Sequence, residues 1–227
     1  MTTTSSTILV LTALNALAGG LFLLSAFSLI AARQSLACLK AFIVQSVLLA
    51  ISAVILGYQN ASVALLIVGG ITIVSKVILI PWLFLGTLAH EVRTRREITQ
   101  VFSISTSLLI SLALVIFAYF LAVTLLQASP RQDATINLPI GLAGLFLGAY
   151  AISVRREAVP QVIGILAMEN GAFFAGISIA PDFSLIAELA VAFDVLLIAR
   201  IMGVLTMRVH RHTGTTVVGA MTALREE

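Results

Sequence analysis

Apolar residues along this chain fall in long runs separated by short polar breaks. Seven runs stand out, at 7–31, 37–57, 61–88, 101–127, 136–153, 158–180 and 183–207. Each is long enough to cross the roughly 30 Å of bilayer hydrocarbon as a helix. Transmembrane barrel strands would instead alternate in units of about 10 residues. A lipid-embedded helix satisfies all its own backbone hydrogen bonds. The expected fold is therefore an all-α integral membrane protein of about seven transmembrane helices in a single membrane domain, 1–227. Within it, 1–100 holds helices 1–3, 101–130 a linking helix 4, and 131–227 helices 5–7. The breaks between runs leave no room for a separate soluble domain.

Composition strengthens this pattern. The chain is 60% hydrophobic and 10% charged, with a mean hydropathy of +1.12. A net charge of +3 would suggest nucleic acid in a soluble protein. Here the basic residues gather in the breaks between spans, so no nucleic-acid partner is expected; the lipid bilayer is. Arg33, Lys40, Arg93, Arg95, Arg96, Arg155, Arg156, Arg208, Arg211 and Arg225 all fall on one side of a seven-span topology, and Arg131 alone on the other. By the positive-inside rule, the N-terminus is outside and the C-terminus cytoplasmic, in a cell (inner or plasma) membrane. The first run, preceded by "MTTTSST" and followed by Arg33, has the charge layout of a retained span rather than a cleaved signal.

Cys38 is the single cysteine. One thiol cannot build a four-ligand zinc or iron–sulfur site. His90, His210 and His212 do not stand in a catalytic metal motif. No Gly-rich phosphate loop or Gly-x-Ser-x-Gly elbow is present. The chain is therefore expected to hold no metal or cofactor of its own and to be no enzyme on its own.

The chemistry lies in three charges inside the apolar runs. Glu169, in "ILAMENGAFFAG", Asp194 and Lys76 each sit close to the middle of a run. Helical rise puts all three within a few ångströms of the bilayer midplane. A lone charge there costs about 2.5–3.5 kcal/mol on insertion scales, so such residues face inward, towards partners or water. Carboxylates and an amine held between burial and mutual pairing have what a proton or ion pathway needs. The alternatives are an ion pair that only locks helix packing, or a quinone or lipid ligand.

Neighbouring residues form a second tier. Pro81, five residues after Lys76, should kink its helix and free the carbonyl of Val77. Thr72 and Ser75 lie close to Lys76, and Asn170 is placed to hydrogen-bond across helices. Glu188 and Arg200 flank Asp194 on either side, six residues away, about 120° round the helix. Gly144 and Gly148 form a small-xxx-small pair that permits close helix approach. Spans 1–3 and 5–7 share an orientation, and Arg33 then Gln45 parallels Arg156 then Glu169, the pattern of a parallel duplication.

These residues carry a resemblance. "RREAVPQVIGILAMENGAFFAGI" followed by "AELAVAFDVLLIARIMGVL" resembles the last three helices of the hydrogenase-4 component E family, and "KVILIPWLF" resembles its Lys-bearing third helix. Through those last helices the family is similar to the K subunit of complex I and the C subunit of multisubunit sodium/proton antiporters. The match is specific at 75–84 and 155–200 and loose elsewhere. It implies a non-catalytic subunit in the membrane arm of a group 4 [NiFe] hydrogenase or formate hydrogenlyase-type complex. Glu169 matches the K-type glutamate. Asp194 stands in place of the second one, a carbon shorter, and Lys76 matches the family's lysine. The implied partners are antiporter-like and quinone-chamber-like membrane subunits and soluble hydrogenase subunits, which would carry the [NiFe] and Fe-S centres. Three rivals remain: a subunit of a multisubunit Na+/H+ antiporter without a redox partner, a self-contained carrier, and a purely structural membrane anchor.

Overall fold

The computed structural model describes residues 2–87, 101–127 and 132–179, together with Leu196 and Gly203. Among them there are helices and no strands. The order is α1 (Thr2–Ala31), α2 (Ser35–Gln59), α3 (Val63–Thr72), a π-helical segment (Ile73–Leu79), α4 (Ile80–Thr87), α5 (Ile104–Leu126), α6 (Gln132–Val154) and α7 (Ala158–Ile179). The segments α3, π and α4 run without a break as one span. Six helices among the described residues are long and apolar enough to cross a membrane, at positions close to the first six runs of the sequence. The expected seventh, 183–207, lies outside the described residues apart from Leu196 and Gly203. Leu196 is helical and packs against the core shared by α1, α2, α4, α6 and α7.

The breaks between helices are built from short polar caps. Gln34 precedes α2 in an extended conformation. Asn60 closes α2, its side-chain amide donating to the Leu56 carbonyl at 3.0 Å. The next residue, Ala61, has a φ of 51°, the left-handed region that lets the chain reverse into α3. Ser103 caps α5, accepting from the Thr106 amide at 3.2 Å.

The helices pack up and down. α1 pairs with α2, α6 with α7, α1 also lies on α6, and α2 on α7. The α6–α7 contact depends on glycine. A Cβ on Gly148 would collide with the backbone of Met168, and one on Gly171 with the backbone of Leu145. The small-xxx-small reading of Gly144 and Gly148 thus describes a real contact between helix backbones, closer than any side chain permits. α5 uses the same device with Ser107, Ser111, Ala118 and Ala122 as its buried positions.

The polarity of the bundle is reversed relative to a water-soluble protein. Leu9, Trp82, Leu109 and Phe120 are at least 66% exposed. Meanwhile Asn15, Gln45, Ser46, Ser52, Thr72, Lys76, Asn137, Arg155 and Asn170 are buried. A broad apolar outside and polar inside are what hydrocarbon solvent selects, since tails solvate leucine and not amides.

Candidate polar site at the bundle centre

Lys76 and Glu169 meet. The Lys76 ammonium donates to Glu169 Oε1 at 2.8 Å, linking the third span to α7 across 93 residues of sequence. Lys76 is 1% exposed and Glu169 14%. The mid-run position of each residue is what brings them to one depth. The Phe173 ring, one turn along α7 from Glu169, lies 5.6 Å from the ammonium and adds a cation–π contact. Glu169 Oε2 is buried and has no hydrogen-bond partner among the described residues.

Lys76 stands in the middle of the π-helical segment. The sequence predicts a simple proline kink at Pro81; the structure has a widened turn ahead of it. Ile80 donates its backbone N–H to the Ser75 carbonyl, five residues back. By the same offset the next donor would be Pro81, whose nitrogen carries no hydrogen. Proline cannot join the ordinary ladder, and a wide turn is one of the few ways a helix absorbs that loss. The Ser75 hydroxyl turns back onto its own helix, to Ile71 at 2.8 Å, so it does not compete for the Lys76 ammonium.

Asn170 extends the site to α2. Its side-chain nitrogen donates to Ser46 Oγ at 2.9 Å, and Ser46 in turn donates to the Phe42 carbonyl at 3.0 Å. Asn170 Oδ1 and both amide atoms of the neighbouring Gln45 are buried without partners among the described residues. The centre therefore holds an ion pair together with several open hydrogen-bonding positions. Asp194, Glu188 and Arg200 lie outside the described residues, so the third charge of the expected layer is not part of this geometry.

Two further polar layers escaped the sequence reading. Six residues from Ser46, about 9 Å along α2, Ser52 donates to Asn15 Oδ1 at 2.6 Å. Asn15 donates to Asn137 Oδ1 at 3.0 Å, tying α1, α2 and α6 together. Neither asparagine is unusual in its own run; only the pairing, 122 residues apart, distinguishes them.

At the other end, Arg155 corrects the sequence reading. Its place in a break between spans predicts a charge lying outside the helices, but it is 2% exposed. The tight α6–α7 connection tucks its guanidinium under α1 and α2, where it donates to the Leu29 carbonyl and to the Cys38 sulfur. Those neutral acceptors take the place of water. Arg156 beside it remains exposed.

Among the described residues no three His, Cys, Asp or Glu side chains come together as a metal site. Fold and site together define a class: a polytopic helical membrane protein with a buried Lys–Glu pair between two spans. No protein-family profile and no solved structure matches the chain. The chain is similar to a Mycobacterium tuberculosis protein described as "Uncharacterized protein Rv0085", 29% identical over 211 residues, which cover 92% of this chain and 94% of that protein.

Proposed function

We propose that this chain is a non-catalytic subunit in the membrane arm of a hydrogenase-4-type or complex I-like oxidoreductase, contributing one step of a proton or cation path and helping to hold antiporter-like subunits to the arm. The orientation proposed with it puts the Arg33 turn and the C-terminus in the cytoplasm, on the positive-inside rule. The Lys76–Glu169 pair carries this reading. An amine and a carboxylate in direct contact can exchange a proton or separate when a charge arrives. The open Glu169 Oε2 and the unpartnered amides of Gln45 and Asn170 offer neighbouring positions through which water could carry a proton onward. The resemblance of residues 75–84 and 155–200 to the component E family supports the assignment to such a complex. [NiFe] and Fe-S centres would belong to its soluble subunits.

The test is Glu169→Gln in the assembled complex, which keeps the side chain's size and removes its charge. The relay role requires that redox-linked proton translocation falls while the complex still assembles. Normal translocation with normal assembly refutes it. Loss of assembly alone assigns the pair to helix packing. If the chain co-purifies with antiporter-like subunits and no hydrogenase subunit, the Na+/H+ antiporter reading replaces this one.

A further inference from the structure

Along the outer wall of the bundle, between α1 and α2, runs a groove of about 600 Å³. Ala31, Ala37 and Ala41 leave it hollow, Leu21 and Leu48 close its far end, and Lys40 stands at its mouth. The groove spans residues 21–31 of α1, with Ala32 just beyond it, and 37–48 of α2, about 15–17 Å along the helix axes by rise per residue. That is one leaflet, half of the hydrocarbon thickness of roughly 30 Å. The end lined by Ala31, Ala32, Ala37 and Lys40 lies beside the Arg33 turn, the polar break that the positive-inside pattern sets at the membrane interface.

The chemistry of the walls is divided in the same way. Ser25 and Ser28 line the groove, but their hydroxyls are spent on their own helix, on the Phe22 carbonyl at 2.6 Å and the Leu24 carbonyl at 2.9 Å. The shaft thus presents no unmet polar group. Lys40 is exposed and makes no hydrogen bond or ion pair among the described residues. Its four-carbon stem can lie on apolar surface while the ammonium reaches the interface. A packed transmembrane helix would need a seam the full depth of the bilayer. A groove one leaflet deep with a cation at the interfacial end fits an acyl chain with an anionic headgroup above it.

We propose that the α1–α2 groove binds an anionic phospholipid, with an acyl chain along the shaft and the phosphate at Lys40. This site is remote in character from the Lys76–Glu169 centre and stands or falls independently of it. The full-length chain, purified in mild detergent, is titrated with phosphatidylglycerol and with phosphatidylcholine, and retained lipid is read by native mass spectrometry. Phosphatidylglycerol should be held about fivefold more tightly, the ratio expected for one lysine facing an anionic headgroup. Lys40→Gln should bring the two lipids level, and Lys40→Arg should keep the preference. Ala41→Phe should lower retention of both by filling the shaft. Ser28→Leu serves the same purpose if Ala41→Phe does not fold, as judged by circular dichroism. Equal retention of the two lipids by the wild-type chain overturns the proposal, and so does a preference that survives Lys40→Gln. A photo-crosslinker at Val44 that captures a polypeptide instead of phospholipid in native membranes overturns it as well.

Discussion

Removing one member of the Lys76–Glu169 pair should be worse than removing both. In Glu169→Leu the ammonium of Lys76, 1% exposed, keeps only the Phe173 ring as a partner among the described residues. In Lys76→Met the carboxylate loses its one observed hydrogen bond. Breaking a buried pair from one side costs about 3–5 kcal/mol in soluble proteins. Insertion scales put an uncompensated charge in mid-membrane at about 2.5–3.5 kcal/mol. The two ranges meet near 3 kcal/mol for each single substitution. The double variant Lys76→Met with Glu169→Leu removes both charges and fills much of the volume with apolar atoms, an exchange that is often neutral or stabilising. A double-mutant cycle should therefore give a coupling energy of at least about 2 kcal/mol. Reversible unfolding of the full-length chain in mixed micelles of sodium dodecyl sulfate and dodecyl maltoside measures it. If the single costs add to within about 0.5 kcal/mol, the usual tolerance for independent sites, the two residues do not act as a pair and the structural premise fails. A double variant that is folded and stable then separates roles: it should assemble normally and still not support proton translocation.

Two other perturbations follow from the packing. Arg155→Ala removes the guanidinium that bonds the Leu29 carbonyl and the Cys38 sulfur, and should cost about 2–4 kcal/mol through acceptors left buried; Arg156→Ala, at an exposed position, should leave the unfolding midpoint unchanged in the same assay. Gly148→Ala sets a methyl against the Met168 backbone and should cost about 1–3 kcal/mol as overpacking. Gly70→Ala, with nothing within 4 Å of the new methyl, should be neutral or gain up to about 1 kcal/mol from helix propensity.

The first six spans were legible because hydrocarbon imposes a simple rule on composition, which long apolar runs satisfy as helices. The shared depth of Lys76 and Glu169 was legible for the same reason, since counting residues along a span measures depth. What counting cannot give is azimuth. Nothing in the runs said whether Lys76 would face Glu169 or Asp194, or that Asn15 would bond Asn137 on α6 as well as Ser52 of its own hairpin. Arg155 misled because a basic residue between two spans looks the same whether it points to water or folds back beneath the helices. Its neighbour Arg156, one residue along, does point out. The difference is made by acceptors on α1 and α2, more than a hundred residues away.

The wide turn around Lys76 joins the legible part to the hidden part. Pro81 announced a disturbance, and the structure puts the disturbance around Lys76 instead of after it. A π turn inserts in effect one extra residue into the helix, so the side chains beyond it are rotated relative to those before it. α3 uses its buried positions Leu65, Val68, Gly69 and Thr72 to lie against its neighbours, with Gly69 set on Val54 and the Ala50 carbonyl of α2. After the turn, Ile80 and Phe84 enter the core shared with α1, α2, α6 and α7. An unbroken α-helix that kept the first set in place would rotate the second. Lys76 lies where the two registers change over, a place where the backbone ladder is already weakened and small shifts cost little. If Pro81→Ala lets an ordinary helix form, the Lys76–Glu169 distance and the packing of Phe84 should change together. The cycle coupling measured between Lys76 and Glu169 should then shrink in the Pro81→Ala background. Coupling that is unchanged there would mean that the turn and the ion pair are independent features of the same span.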